Sequence, residues 1–336
     1  MVLAEEGNVM AASTTRRAFV LGAAAAPLLA RRSFAQVPFP TRPIRIVIGF
    51  PPGGGIDILA RLMGPKMAER LGQPVVVENR PGANGSIATQ GVAQSEPDGH
   101  TILFGTTGNL AVNPVLYAGR PGMNMERDFA PLSQVASLAF VLVVNPSVPA
   151  KSLAELIELA KARPGEILFG SSGNGGLPHL SGELLNLQAA IRTGHIPYRG
   201  SAPAFTDLLS GQVQFVFDAL AIAQPHIESG RLRPLATTGP KRIAVLPDVP
   251  LAKETLPGFE VVNWYGMAVR AGTPAAIVAR LHQEVAHALR QPDVAERAAS
   301  LGLDLIGSTP DEFGAFQRQE IAKWGAVIRT ANIKVD

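Results

Sequence analysis

The chain has 336 residues, a formal charge of +3 and 17% charged residues, and it contains no cysteine. Disulfides, thiol catalysis and cysteine-ligated metals are therefore excluded. Residues 1–35 hold four arginines and two glutamates, which leaves the remainder near +1; with no dense Lys/Arg block, a nucleic-acid partner is not expected.

The N-terminus reads as an export signal. Arg16 and Arg17 form a twin-arginine pattern, a modest apolar run spans Ala18 to Ala30, and small residues end at Ala35, the expected cleavage point. Arg31 and Arg32 before that point suit the twin-arginine route and a periplasmic destination. The apolar run is too short to span a bilayer, and no other stretch reaches the roughly 18 apolar residues a span needs.

Ile44–Phe50 is a β-branched apolar strand that breaks into Pro51-Pro52-Gly53-Gly54-Gly55, after which a helix over Asp57–Leu71 shows one apolar face through Leu59, Leu62, Met63 and Met67. Such a turn aims unpaired N–H groups and the positive helix end at the loop, making an anion site without a cationic side chain. The construction recurs. Thr101–Phe104 runs into Thr106, Thr107 and Gly108. Ile167–Phe169 runs into Ser171–Gly176 and a helix from His179 to Leu187. His195–Tyr198 runs into Arg199–Pro203 and a helix over Ala202–Ser210. Further strands are expected at Pro74–Glu78, Phe140–Asn145, Gln212–Phe217, Arg233–Thr237 and Trp264–Val269, with helices at Ser152–Ala162, Pro274–Arg290 and Asp311–Arg329. This alternation predicts an α/β protein with largely parallel sheets. Polar turns in both halves suggest a ligand held between two α/β lobes, which should close on it.

Nucleotide fingerprints fail. G-x-G-x-x-G would need glycine at Ile58, and no Gly-Lys-Ser/Thr follows Gly49 or the turn at 171–176. Ser172, His179 and Asp218 offer the residue types of a hydrolytic triad, but Asn174 stands where G-x-S-x-G needs glycine. His282 and His287, five residues apart on a helix, do not share a face for zinc, and both are expected in solvent. Asp57 is read as a helix cap, Trp264 and Tyr265 as packing residues, and Arg199 as pairing either with ligand or simply with Asp207 or solvent. His179 either tightens its loop or faces ligand, and Asp218 is either an acceptor for loop amides or a selector for a ligand donor.

The motifs FPPGGGIDILAR, QPVVVENRPGANG, PDGHTILFGT, VVNPSVPAKSLAELI, SSGNGGLPHLSGELL, PYRGSAPAFTDLLSGQVQFVFD and KRIAVLPDVP follow one another from Phe39 to Ile333. In this order they resemble the extracytoplasmic solute receptors of tripartite tricarboxylate transporters, the Bug receptors. The resemblance implies a periplasmic binding protein of type II topology; the absence of any linker suggests that the chain crosses between the lobes more than once, with residues 36–139 and 260–336 as lobe 1 and 140–259 as lobe 2. The resemblance also implies a monomer that binds a small organic acid, has no cofactor, metal or enzymatic activity, and hands its ligand to the permease subunits of such a transporter or informs a sensor. Motif by motif, the ligand-binding positions it implies are Pro52, Gly53, Gly54, Thr106, Ser172, Gly173, Asn174, His179, Arg199, Gly200, Ser201, Ala202, Pro203 and Asp218. The third loop departs from the family pattern, with Gly176 where many relatives carry a hydroxyl and Leu177-Pro178 before His179, which points to a more apolar or aromatic acid. The alternative reading is a periplasmic hydrolase on the same scaffold.

Overall fold

The computed structural model describes residues 39–334, so the export signal lies outside the described residues. Strand β1 (Ile44–Ile48) leads through the glycine turn to α1 (Gly55–Leu71), then β2 (Val75–Asn79), α2 (Ser86–Ala93) and β3 (Thr101–Thr106). A π-helical turn (Gly108–Val112) passes into the short α3 (Asn113–Leu116) and α4 (Met125–Asp128), which opens the long strand β4 (Phe129–Val144). Then come α5 (Leu153–Ala162), β5 (Leu168–Ser171), α6 (Leu177–Ala189), β6 (Gly194–Pro197), α7 (Ser201–Ser210), β7 (Phe215–Ala219), α8 (Leu220–Glu228) and β8 (Arg233–Thr237). The chain finishes with α9 (Ala252–Thr255), β9 (Val262–Arg270), α10 (Ala275–Leu289), α11 (Pro292–Ser300), β10 (Asp304–Leu305) and α12 (Pro310–Thr330).

The strands run in the order β2-β1-β3-β9-β4-β7-β5-β6, with β8 and β10 both paired to β4. The pairs that carry the polar turns are parallel: β1 with β2 and β3, and β5 with β6 and β7. The expectation of largely parallel sheets holds only there. Strands β4 and β9 run antiparallel to each other, and each is antiparallel to its other neighbours. They stand between the two parallel groups in the strand order.

Sequence periodicity marked only Phe140–Asn145 of β4, because Pro131 and the polar Ser133-Gln134 interrupt the pattern before it. Those residues sit where the register against β9 shifts, between Pro131 and Ser133 and again between Gln134 and Ala136; bulges accommodate a proline that a regular central strand would not. Residues 129–139 pair with β9, whereas 140–144 pair with β7 and β8. Helices α2, α8 and α11 were also not marked by periodicity.

Each half has its own apolar packing. Ile44, Ile46, Ile48, Leu59, Met63 and Phe104 are fully buried around β1 and α1. Val141, Val143, Phe205, Leu208, Val216 and Leu220 form one cluster in the other half. Each such side chain contributes about 1.5–3 kcal/mol on leaving water. Helix α12 starts in a Thr309/Glu312 capping box and returns to the first half, where Phe313 and Phe316 stand edge-on to Trp264. The buried Glu320 carboxylate accepts from the indole N–H groups of Trp264 and Trp324, both at 3.0 Å. Trp264 is thus a packing residue, as read from the sequence. His282 and His287 are half-buried rather than solvated: His282 Nδ1 lies 3.1 Å from the Leu132 carbonyl and His287 contacts Gln291.

Candidate functional site

Three of the four polar turns converge on one cavity of about 280 Å³. Its walls are Gly54, Gly55 and Ile56 at the start of α1, Thr106 and Gly108 after β3, Ser172, Gly176, Leu177 and Pro178 before and within α6, and Asp218-Ala219 at the end of β7. Phe50, Asn84, Leu138, Phe140, Asn263 and Tyr265 complete them. No lysine, arginine or histidine is among these lining residues. Two larger grooves, of about 490 and 570 Å³, gather none of the glycine turns.

Helix α1 presents its N-terminus to the cavity without a side-chain cap at Gly54, and α6 does the same at Gly176. Their first-turn amides have no intrahelical acceptor. In α6 the proline at the second helical position removes one of those donors, so α1 supplies the denser set. Gly53 has φ of +92°, which a side chain would strain. The Tyr265 hydroxyl lies so near Gly55 that a Cβ there would come within 3.1 Å of it. Tyr265, read as packing from the sequence, is therefore also a wall of the cavity, buried enough that its hydroxyl is pushed up to about 12.

Asp57 belongs to the scaffold. Its carboxylate accepts from the Gly53 N–H at 2.9 Å, from Arg61 Nε at 3.0–3.1 Å and from Asn79 Nδ2 at 3.0 Å. Burial alone would raise this carboxyl, but the bonds from Arg61, Gly53 and Asn79 outweigh it and hold the group below its usual range. The Gly53 amide is consequently spent inside the turn, and the amides left at the cavity follow it.

Asp218 is the opposite case. It lines the cavity and is 5% exposed, Oδ1 accepts from the Ala219 N–H at 2.7 Å, and the enclosed Oδ2 has no hydrogen-bond partner. Burial pushes this carboxyl up to about 6, with the neighbouring Ser201 hydroxyl and the Ala219 N–H pulling it partly back. After β3, the Thr106 hydroxyl accepts from the Gly108 N–H at 3.2 Å, and Asn109 Oδ1 takes the Thr106 N–H at 2.7 Å.

Of the positions expected from the sequence, Gly54, Thr106, Ser172 and Asp218 line this cavity and the others stand around it. Pro52 and Gly53 are exposed in the turn. Gly173 and His179 lie within the third turn's own hydrogen bonds. The Asn174 amide donates to the Lys334 carbonyl at 3.0 Å. Arg199, Ala202 and Pro203 are exposed, and Asp207, a proposed partner of Arg199, accepts instead from the Tyr198 hydroxyl at 2.7 Å. The Gly200 N–H ties the fourth turn to the Ser172 carbonyl at 3.1 Å, and Ser201 stands beside Asp218. Sequence reasoning missed Asn84, Asn263 and the aromatic wall. Asn84 carried a signal, since the ANG tripeptide marks a turn, and it adopts φ of +49°.

The triad considered from the sequence is not assembled. His179 Nδ1 accepts the Gly175 N–H at 3.0 Å, and its Nε2 lies 3.7 Å from Glu183. Among the described residues no group of three or more His, Asp or Glu side chains could hold a metal ion, and no helix is long and apolar enough to cross a membrane.

This geometry has relatives. The profile of the tripartite tricarboxylate transporter family receptor matches residues 59–333. Protein BugT of Bordetella pertussis is 38% identical over 299 residues, covering 88% of this chain and 91% of that protein. A Rhodopseudomonas palustris structure with adipate is 36% identical, with TM-score 0.76 over 88% of this chain and 99% of its own. MatC of the same organism, with bound malate, is 32% identical with TM-score 0.73, over 86% of this chain and all of its own. Both share the two-lobed α/β architecture. The chain belongs to the tripartite tricarboxylate transporter family of receptors.

Proposed function

We propose that this protein is a periplasmic receptor for a small organic carboxylate, without enzymatic activity, that delivers its ligand to the permease subunits of a tripartite tricarboxylate-type transporter or to a sensor. The observation that carries this reading is the pair of uncapped helix N-termini, at Gly54 and Gly176, facing one cavity whose lining holds no cationic side chain. Backbone amides at helix starts bind a carboxylate through charge-assisted hydrogen bonds. The adipate and malate bound by the two R. palustris relatives support the ligand class.

The lining also narrows the ligand. Phe50, Leu138, Phe140, Leu177, Pro178 and Tyr265 favour an acid with an apolar or aromatic body. Asp218 Oδ2 favours one that brings a hydrogen-bond donor, because an unpaired buried acceptor costs about 1–3 kcal/mol. Residues 36–139 with 260–336 form one lobe and 140–259 the other, a division supported by the change of pairing partners at Ala139/Phe140. Export proceeds by the twin-arginine route through Arg16 and Arg17; normal periplasmic accumulation of a variant with both replaced by Lys would refute that route alone.

A hydrolase is the competing reading, and among the described residues Ser171 with His195 is the nearest approach to a nucleophile and base, at 2.7 Å. Ser171 is fully buried and does not line the cavity, so the observed arrangement favours the receptor. Thermal-shift and calorimetric measurements on residues 36–336 against adipate, malate and aromatic and aliphatic monocarboxylates test it. An acid at 100-fold its Kd stabilises by about 2.7 kcal/mol and is recovered unchanged. Conversion of the acid would favour the hydrolase, and the absence of any stabilising acid would end the receptor reading.

A further inference from the structure

Behind the third turn, outside the cavity lining, the rings of His179 and His195 stack with centroids 3.6 Å apart and planes 8° from parallel. Phe169 closes the same stack, 4.9 Å from His195. Neither histidine lines the cavity, yet each holds the loop that does. The Gly175 N–H donates to His179 Nδ1 at 3.0 Å. His195 Nε2 lies 2.7 Å from Ser171 Oγ, which accepts the Gly173 N–H at 3.2 Å and reaches the Gly173 carbonyl at 3.1 Å. That carbonyl also accepts from Gly176.

The bond from Gly175 decides the protonation state of His179. A nitrogen that accepts an N–H carries no proton, so His179 is neutral with its hydrogen on Nε2, toward Glu183. Two imidazolium rings in van der Waals contact would repel strongly in a buried site. Burial, and then the His179 ring beside it, push His195 down to about 3.

The geometry points to His179, His195 and Ser171 as the positioning residues of the third turn: as a neutral stack they hold Ser172 and Gly176 in the cavity wall, and a proton on His179 Nδ1 releases the turn.

Protonation would set N–H against N–H at Gly175, while Glu183 attracts the imidazolium from its other side. The groups around the pair are accounted for. Glu183 is the charged group within ion-pair distance of either ring among the described residues. Strand β5 contributes Ser171 and Phe169, and β7, which packs on α6, ends in Asp218. On α12, which also packs on α6, Glu320 is committed to Trp264, Trp324 and Lys323, and Arg318 to Glu126.

Hydrogen exchange on ligand-free residues 36–336 tests this without any assumption about ligand, so its failure leaves the receptor reading standing. Rates are corrected for the intrinsic pH dependence of exchange and compared between neutral pH and progressively lower pH. Protection of Gly173 and Gly175 should fall by roughly tenfold or more as pH drops, the factor expected when a buried donor loses its acceptor, while the β1–α1 turn stays unchanged. His179→Gln keeps an acceptor for Gly175 but takes no proton, and should hold its protection at both ends of the range. Equal pH dependence in the wild type and His179→Gln, or constant protection in the wild type, would overturn the proposal. The wild type alone supplies a second check, because an NMR nitrogen shift showing a proton on His179 Nδ1 at pH 7.5 would also overturn it.

Discussion

Two aspartates stand beside the cavity, one from each half of the molecule, and both are almost fully buried: Asp57 is 3% exposed and Asp218 5%. Asp57 is saturated by Gly53, Arg61 and Asn79 and is held below the usual carboxylate range. Asp218 has the Ala219 amide on Oδ1, the Ser201 hydroxyl beside it, an Oδ2 without a partner, and a carboxyl pushed up to about 6. Burial raises both, and Asp218 lies far deeper than Asp57; the second difference is how much of the charge the protein itself satisfies. A satisfied buried carboxylate shapes a turn. An unsatisfied one at a cavity wall is held ready for something that arrives. On the proposed reading, the α1 side of the cavity offers donors, and the β7 side reads what else the ligand carries.

The largest expected effect breaks the donor side. Gly54 has φ of −76°, and an added Cβ meets nothing within 4 Å, so Gly54→Val should fold normally while filling the space over the Gly55 and Ile56 amides. Loss of two charge-assisted bonds at roughly 1.5–3 kcal/mol each lowers affinity by about two to four decades. Calorimetry with an acid found in the screen checks it, and unchanged affinity would remove the amides from the binding mechanism.

Asp218→Asn sharpens the other side. A carboxyl raised from 3.8 to about 6 on folding destabilises the folded state wherever it is ionised there. The penalty is absent below about pH 4, grows as pH rises to 6, and is constant above that, at roughly 3 kcal/mol. The variant should therefore melt higher than the wild type at pH 8 and level with it at pH 4, while losing preference for acids with a hydroxyl over their unsubstituted counterparts. Equal melting at pH 8 would mean that Asp218 is satisfied without ligand.

The smallest effect concerns charge. Arg199 is exposed and outside the cavity lining, so Arg199→Ala should cost about 0–1 kcal/mol of binding, under one decade. Abolished binding would turn the site into a guanidinium clamp and reverse the comparison.

Much of the donor side was legible in the sequence. A β-branched strand, three glycines and an amphipathic helix are local features, and together they state where a helix starts and which way its amides point. The third turn was legible as a turn but not in its support. His195 looked like part of a strand end, and its stacking on His179 depends on β5 and β6 pairing in register. Tyr265 and Asn263 were hidden for the same reason, since β9 reaches the cavity only through its antiparallel pairing with β3 and β4.

The order of turns and the absence of a nucleotide fingerprint follow from neighbouring residues alone, because glycine conformation and helix ends act over a few bonds; Asp57, read as the cap, stands instead inside the first turn of α1 behind an uncapped Gly54. Tertiary structure decided which buried carboxylate keeps an unpaired oxygen and which two histidines stack. Both outcomes depend on desolvation and on partners far along the chain, and no local pattern records those distances.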